Sequence, residues 1–207
     1  QVFVKYQAVT PLVRTRMAGA QVGIDLHSGS DHRANLPQVR GDLDDPATAS
    51  LAAIFGAPIS IHAQERSGSL RGEGASSGCT VLLYEGGGAH RYDSHAVEVG
   101  AAGVLRVLGS LDMVPKSPIE HRARTVISRK TSWSRAHHGG LFRPHVALGE
   151  RVVLGQHIGT VADATGLTVG KISARVGGVV IGLRMNPVVY QGDALAHVAT
   201  IEGQSGS

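Results

Sequence analysis

The sequence predicts an α/β fold followed by a small all-β barrel or sandwich. Up to about residue 120, candidate strands alternate with candidate helices, a pattern typical of a mostly parallel sheet covered by helices. After that point, short apolar runs recur roughly every 8 to 12 residues between Gly, Pro or Asp turn signals. We therefore expect an α/β domain over 1–120, a β domain over 121–200 and a tail over 201–207.

The composition is that of a globular protein, with 42% hydrophobic and 17% charged residues. The net charge of +4 suits a small anionic substrate but is too low to indicate nucleic-acid binding. The only cysteine, Cys79, excludes an intramolecular disulfide and fits a reducing compartment. The sequence has neither a signal-peptide pattern nor an apolar run long enough to cross a membrane, so a cytoplasmic location is expected.

The first strand is expected at 21–26, where apolar residues occupy every second position of QVGIDL. A short helix is expected before this strand, at 11–20. Irregular chain is expected after it, at 36–45, because Pro37 acts as a local stiffener.

Two longer helices follow from end signals and periodicity. Asp45 is a good N-cap, Pro46 suits the first helical position, and Gly56 should end the helix. The second helix is expected at about 95–111, with Asp93 or Ser94 as its N-cap. The apolar stripe expected on this helix consists of Val97, Ala101, Val104, Leu105 and Leu108.

Two further strands are expected in the first half, at 58–62 and 79–84. The second is a continuous apolar run, CTVLLY, as in a strand that is covered on both faces. It should stop at the EGGG that begins at Glu85. The Gly- and Ser-rich segment at 68–78 is expected to be a loop.

Two of these strands lead directly into reactive side chains. The strand at 21–26 is followed by His27, and the strand at 79–84 is followed by Glu85. Because sites in open α/β sheets gather at the carboxyl ends of strands, the two side chains are expected at one edge. An imidazole that binds zinc and a carboxylate that takes a proton from water would form a hydrolytic site there.

Arg33, Asn35 and Arg40 follow His27 closely and indicate a substrate that carries carboxylates. Arginine matches a carboxylate with two parallel donors, and asparagine can donate and accept. Each residue also has an ordinary structural interpretation: His27 as a hydrogen-bonded loop residue, Glu85 as a turn cap, and the arginines as solvated surface groups.

The motifs DLHSG at 25–29, RANLPQVR at 33–40 and EGG at 85–87 occur in an order that resembles the succinylglutamate desuccinylase/aspartoacylase family. These proteins are zinc-dependent amidohydrolases related in fold to the zinc carboxypeptidases. The β-rich second half is similar to the C-terminal barrel of the family. The resemblance therefore implies a zinc-peptidase-like sheet and hydrolysis of an N-acyl amino acid.

By this resemblance, His27 is a zinc ligand, Glu85 is the general acid/base, and Arg33, Asn35 and Arg40 line the substrate pocket. The family takes two further zinc ligands from an upstream segment, whereas residues 1–26 contain no His and no Glu. The chain is thus expected to be part of a longer protein, a proteolysed form or an inactive relative. As a fragment, it is expected to be metal-poor and inactive.

A binding module without catalytic activity is the alternative. The segment 121–151 carries seven Arg or Lys residues and one Glu, a local charge of +6, with Trp133 and Phe142 between them. Such a surface could dock an anionic partner, steer an acidic substrate, or be a solvated face. An incomplete sheet would also expose apolar surface, which favours pairing between copies of the chain.

Overall fold

The computed structural model describes residues 19–65, 68–115 and 125–201, which form two sheets and three helices. The nine strands of the first sheet are β1 Val22–His27, β2 Arg33–Gly41, β3 Ile59–His62, β4 Thr80–Gly88, β5 Val126–Ser128, β6 Thr131–Arg135, β8 Arg151–Val152, β11 Gly178–Arg184 and β13 Ala194–Ala199. The four strands of the second sheet are β7 Gly140–Pro144, β9 His157–Ala162, β10 Thr168–Ser173 and β12 Val188–Val189. The helices are α1 Pro46–Phe55, α2 Leu70–Ser76 and α3 Ser94–Ser110.

The first sheet joins the two halves of the chain. Strand β1 is parallel to β4, and β2 lies between β4, which it pairs antiparallel, and β3, which it pairs parallel. Strand β11 then pairs with β2 and leads on through β13 to β6, all antiparallel. The fold is therefore mixed α/β, as expected. The expected domain boundary near residue 120 lies outside the described residues, as do residues 11–18 of the first expected helix.

Helix α1 has the end signals that the sequence predicts. The Asp45 carboxylate accepts from the Thr48 backbone N–H at 2.9 Å, and Pro46 occupies the first turn, where its missing donor costs little. Gly56 adopts the left-handed conformation, with φ of 68°, and donates its N–H to the Ala52 carbonyl.

Helix α3 begins at its expected cap, Asp93, but buries a different face from the one predicted. Val97 and Leu105 of the predicted stripe are 47% and 43% exposed. Small residues make the contacts instead, and a Cβ at Gly103 would overlap the Phe55 ring of α1. The helix packs closely because glycine has no side chain. A pattern of large apolar residues therefore does not predict this buried face. The buried residues of α3 are Ala96, Gly100, Gly103, Val107 and Gly109.

The irregular segment predicted at 36–45 is wrong over its first part, because β2 continues to Gly41. Proline interrupts a regular ladder, but it is tolerated at a bulge. The pairing of β2 with β4 shifts register between Asn35 and Gln38, so Pro37 lies within a β-bulge.

Two other boundaries differ from prediction. Strand β4 does not stop at Glu85, since Gly87 and Gly88 continue its pairing with Asn35 and Ala34 of β2. The Gly- and Ser-rich segment contains α2, whose first turn is capped by Ser69 Oγ accepting from Gly72 N–H at 3.1 Å. A cap can therefore start a short helix despite the low helix propensity of its residues.

The second half of the chain has its own core, built from short strands as predicted. This core contains Ile158, Val161, Val180 and Leu195, all without solvent exposure. A separate cluster around Phe55 and Leu82 packs α1 and α3 against the first sheet. None of the helices in the described residues is long and apolar enough to cross a membrane.

Candidate active site

His27 and Glu85 lie side by side on the first sheet. They are register partners in the neighbouring parallel strands β1 and β4. Because paired residues of adjacent strands point to the same face, both side chains reach one cavity of about 860 Å³. Arg33, Asn35 and Arg40 line the same cavity, so the five residues singled out in the sequence come together.

The imidazole of His27 is half-exposed and bonded to a carboxylate two residues earlier. Its Nε2 atom lies 3.0 Å from Oδ1 of Asp25. This hydrogen bond raises the pKa of His27 above its ordinary value, partial burial opposes the shift, and the charges of Asp25 and Glu85 add to it. His27 therefore faces the cavity beside two carboxylates.

One oxygen of Glu85 is held by two donors from β2. Arg40 donates from Nε at 3.0 Å, and Gln38 donates from Nε2 at 3.3 Å, both to Oε2. Among the described residues, Oε1 has no hydrogen-bond partner, so it is the oxygen that remains for a reacting group. The pair of donors fixes the orientation of the carboxylate.

The bulge at Pro37 explains how one strand supplies all these groups. Alternation places Arg33 and Asn35 on one face, and it would place Arg40, an odd number of positions from each, on the other. The extra residue between Asn35 and Gln38 reverses the alternation. The spacing RxNxPxxR thus presents its Arg and Asn side chains to one cavity.

Gln38 was missed in the sequence. It is fully buried, and its Oε1 has no hydrogen-bond partner among the described residues. The only signal is its position two residues before Arg40, and that signal is visible only once β2 is recognised as a strand.

Two more lining residues, Trp133 on β6 and His197 on β13, come from the second half of the chain. Their rings are stacked, with centroids 4.2 Å apart and planes 9° from parallel. Because they lie far from His27 and Glu85 in sequence, no local motif could have identified them.

The described residues contain one group of three side chains that could hold a metal ion: Asp42, Asp44 and His62. These groups already have partners. Arg129 lies 2.6 Å from Asp44, and His62 Nδ1 accepts from the Leu43 N–H at 3.2 Å. Around His27 the described residues form no comparable group of three, so they do not by themselves complete a catalytic zinc site, which takes three protein ligands.

Arginines of the basic segment already have partners where the segment is described. Arg129 pairs with Asp44, and Arg135 donates to the Gly192 carbonyl at 2.9 Å. Residues 121–124 lie outside the described residues. Nothing in this arrangement favours the binding-module alternative over a catalytic site.

Comparison with known proteins agrees with the resemblance seen in the motifs. A family model described as the succinylglutamate desuccinylase/aspartoacylase catalytic domain matches residues 7–111. A search of curated proteins gave no match.

Several solved structures share the fold. A succinylglutamate desuccinylase/aspartoacylase from Rhodobacter sphaeroides superposes with a TM-score of 0.80 and 24% identity, over 93% of this chain and 62% of that one. The ectoine utilization protein EutE (DoeB) from Ruegeria pomeroyi gives 0.84 and 20%, over 94% and 64%. A succinylglutamate desuccinylase from Silicibacter sp. TM1040 gives 0.79 and 22%, over 92% and 61%. The chain thus spans a little over three fifths of the length of these structures.

Proposed function

Because the chain belongs to the succinylglutamate desuccinylase/aspartoacylase family, we propose that it acts as a hydrolase on the amide bond of an N-acyl amino acid. The observation that carries this proposal is the pairing of His27 with Glu85 at a cavity that Arg33, Asn35 and Arg40 also line. An imidazole and a carboxylate supply hydrolytic chemistry, and the cationic side chains supply affinity for an acidic substrate.

Glu85 is the proposed general acid/base. It takes a proton from the attacking water, whose oxygen bonds to the acyl carbon. It then gives this proton to the amide nitrogen as the C–N bond breaks, which leaves a carboxylate and a free amine. Arg40 and Gln38 hold Oε2, so the proton is carried on Oε1.

Arg33 and Asn35 are the proposed substrate-binding residues, with Arg40 serving both substrate and Glu85. The guanidinium groups of Arg33 and Arg40 attract a carboxylate to the cavity and fix its orientation through paired donors. Binding of the substrate's carboxylate thereby holds its amide bond next to Glu85.

Zinc is proposed as the cofactor, with His27 as one of its ligands. When bound, zinc polarises a carbonyl and activates water. The described residues supply only His27 at this place, so any zinc there needs two further ligands. Metal analysis tests this: His27→Ala should reduce zinc content, and His62→Ala, in the Asp42 group, should not.

Three further features are proposed at the level of the whole molecule. Residues 1–120 are proposed to form a zinc-peptidase-like domain and residues 121–200 a β-barrel domain, whose strands β6, β11 and β13 also extend the first sheet. The location is the cytoplasm, supported by a sole cysteine that is free and buried. The proposed substrate is a small acyl amino acid. Two copies of the chain are proposed to pair through the apolar surface near β1, where Leu26 is 58% exposed.

The test of the function is amine release from N-succinylglutamate and N-acetylaspartate by the whole protein supplied with zinc. Glu85→Gln should lower kcat by at least about 100-fold, the usual range for loss of a general acid/base. Glu98→Gln, at an exposed site on α3, should leave it unchanged. Undiminished turnover by Glu85→Gln would remove Glu85 from its role, and failure of the wild type to cleave any N-acyl amino acid would refute the function.

A further inference from the structure

A row of residues crosses four strands of the first sheet and ends beside the cavity. Asn35 of β2 pairs with Gly182 of β11, Gly182 pairs with His197 of β13, and His197 pairs with Trp133 of β6. We call these four residues the cross-strand row. It connects the motif strand β2 with strands from the second half of the chain.

Gly182 provides the space in which the other members of the row meet. A Cβ at this position would lie 3.1 Å from Asn35 Oδ1, 3.2 Å from the His197 Cβ and 3.5 Å from Trp133 Cη2. The three side chains thus converge over a residue that has none. The Asn35, His197 and Trp133 side chains all line the cavity.

Trp133 contacts two polar groups of this wall. Its ring stacks on the His197 imidazole, and the Cζ atom of Arg33 lies 4.8 Å from its ring centroid. A guanidinium over an indole face is attracted by the ring electrons, so the contact restricts where Arg33 can point. The same indole therefore restrains both the cation and the imidazole.

His197 is buried yet has an unused hydrogen-bonding capacity. It is 6% exposed, and among the described residues no hydrogen bond engages either of its ring nitrogens. Burial, followed by the charges of Arg40 and Arg33, lowers the pKa of His197 to about 3. At neutral pH the ring therefore carries no charge and retains one N–H donor beside two guanidinium groups.

We propose that Trp133 is a positioning residue that holds Arg33 and His197 so that both bind one carboxylate of the substrate. A carboxylate is the ligand that suits this setting, because it accepts from the guanidinium and from the imidazole N–H at once. It also offsets the positive charge of Arg33, whereas Arg40 is already paired with Glu85. The proposal rests on the proposed function, since it concerns how the same cavity selects an acidic substrate, and it assigns part of that selection to the second half of the chain.

Trp133 is the only tryptophan of the chain, so the tryptophan fluorescence reports directly on binding at this place. Titration of the 207-residue chain with N-acetyl-L-aspartate should change the indole fluorescence in a saturable way. The uncharged diamide of the same compound should produce no such change at equal concentrations. Binding is thereby measured separately from turnover.

Variants then separate positioning from simple packing. Trp133→Leu and His197→Phe should each weaken the binding of N-acetyl-L-aspartate by about ten-fold or more. His197→Phe keeps a ring to stack on Trp133 but removes the N–H donor, and Trp133→Leu removes the face that holds both binding groups. Trp133→Phe, which keeps an aromatic face, should recover most of the affinity. For the Trp133 variants, which lack the tryptophan, binding is measured by calorimetry instead of fluorescence. The matched control is Tyr190→Leu, at an aromatic residue that is 72% exposed.

The outcomes distinguish the two proposals. If the dicarboxylate binds with the expected selectivity but is never hydrolysed, the subsite stands and the proposed function fails. If acyl amino acids are hydrolysed while Trp133→Leu and His197→Phe leave KM unchanged, the function stands and the subsite is wrong. Absence of saturable binding, or equal binding of acid and diamide, also overturns the subsite.

Discussion

The Nε atom of Arg40 lies 3.0 Å from Oε2 of Glu85, which places a permanent positive charge against the proposed catalytic carboxylate. Each side chain is about one fifth exposed, so the pair is only partly screened by water. The relationship supports a role for Arg40 in orienting the proposed catalytic carboxylate, besides its proposed role in binding substrate.

Replacement of Arg40 should therefore affect chemistry as well as binding. Arg40→Gln is expected to lower kcat by roughly 10- to 100-fold and to raise KM, because Glu85 loses its orienting donor and the substrate loses a cation. Steady-state kinetics measures both parameters. Arg143→Gln, which removes an exposed arginine on β7, serves as the control, and an effect on KM alone would contradict the orienting role.

Replacement of Gln38 should lower the activity of the protein without lowering its stability. Gln38→Met removes a buried oxygen that has no hydrogen-bond partner among the described residues, an arrangement that costs about 1–3 kcal/mol. We expect the free energy of unfolding to stay level or rise by about 1 kcal/mol while kcat falls, because Glu85 loses a donor. Denaturant unfolding and kinetics on the same preparation test this, and a large loss of stability would contradict it.

The close approach of α3 to α1 predicts a cost for a single added methyl group. Gly103→Ala should reduce the free energy of unfolding by about 1–3 kcal/mol, because its Cβ would overlap the Phe55 ring. Gly170→Ala is the matched control, since a Cβ there meets only His138 Cδ2, at 3.5 Å. Urea unfolding compares the two, and equal midpoints would show that the helices move apart without cost.

Stability should fall with acid in a way that depends on His197. Its pKa is about 3 in the folded protein and near 6.5 when unfolded, so below pH 6.5 the unfolded chain binds a proton that the folded protein does not. The stability present above pH 6.5 is lost as pH falls toward 3, and about 3 kcal/mol of it is gone by pH 4.

Comparison of variants isolates this contribution from the groups around it, which are Arg33, Arg40 and Trp133. His197→Gln should make the free energy of unfolding less dependent on pH between 6.5 and 4. His145→Gln, at an exposed histidine, is the control variant measured alongside it. Equal pH dependence in the wild type and His197→Gln would contradict a neutral, buried imidazole.

The sequence predicted features that have a local cause. Asp45 and Gly56 end α1 through bonds to residues within one turn, so their types and spacing were sufficient. His27 and Glu85 could be paired because each comes directly after an apolar run, and runs of that kind form neighbouring strands in α/β sheets.

The features that were missed depend on distant partners. Pro37 indicated a break in the chain, but pairing with β4 accommodates it at a bulge. Gly103 carries no apolar side chain, so its role in packing is defined only by the Phe55 ring that fills the space. Trp133 and His197 reach the cavity through register across β11 and β13, which the sequence alone does not specify.

The position of β11 in the first sheet has a consequence for synthesis of the protein. Strand β2 ends at Gly41, but its partner β11 begins only at Gly178. Part of this edge, Gln38–Gly41, pairs with the early strand β3. At a translation rate of about 5–20 residues per second, the Arg33–Asn35 part stays unpaired for on the order of ten seconds before β11 emerges from the ribosome. During that interval the nascent chain exposes a strand edge that favours aggregation, so the yield of folded protein should respond to chaperones that shield such edges.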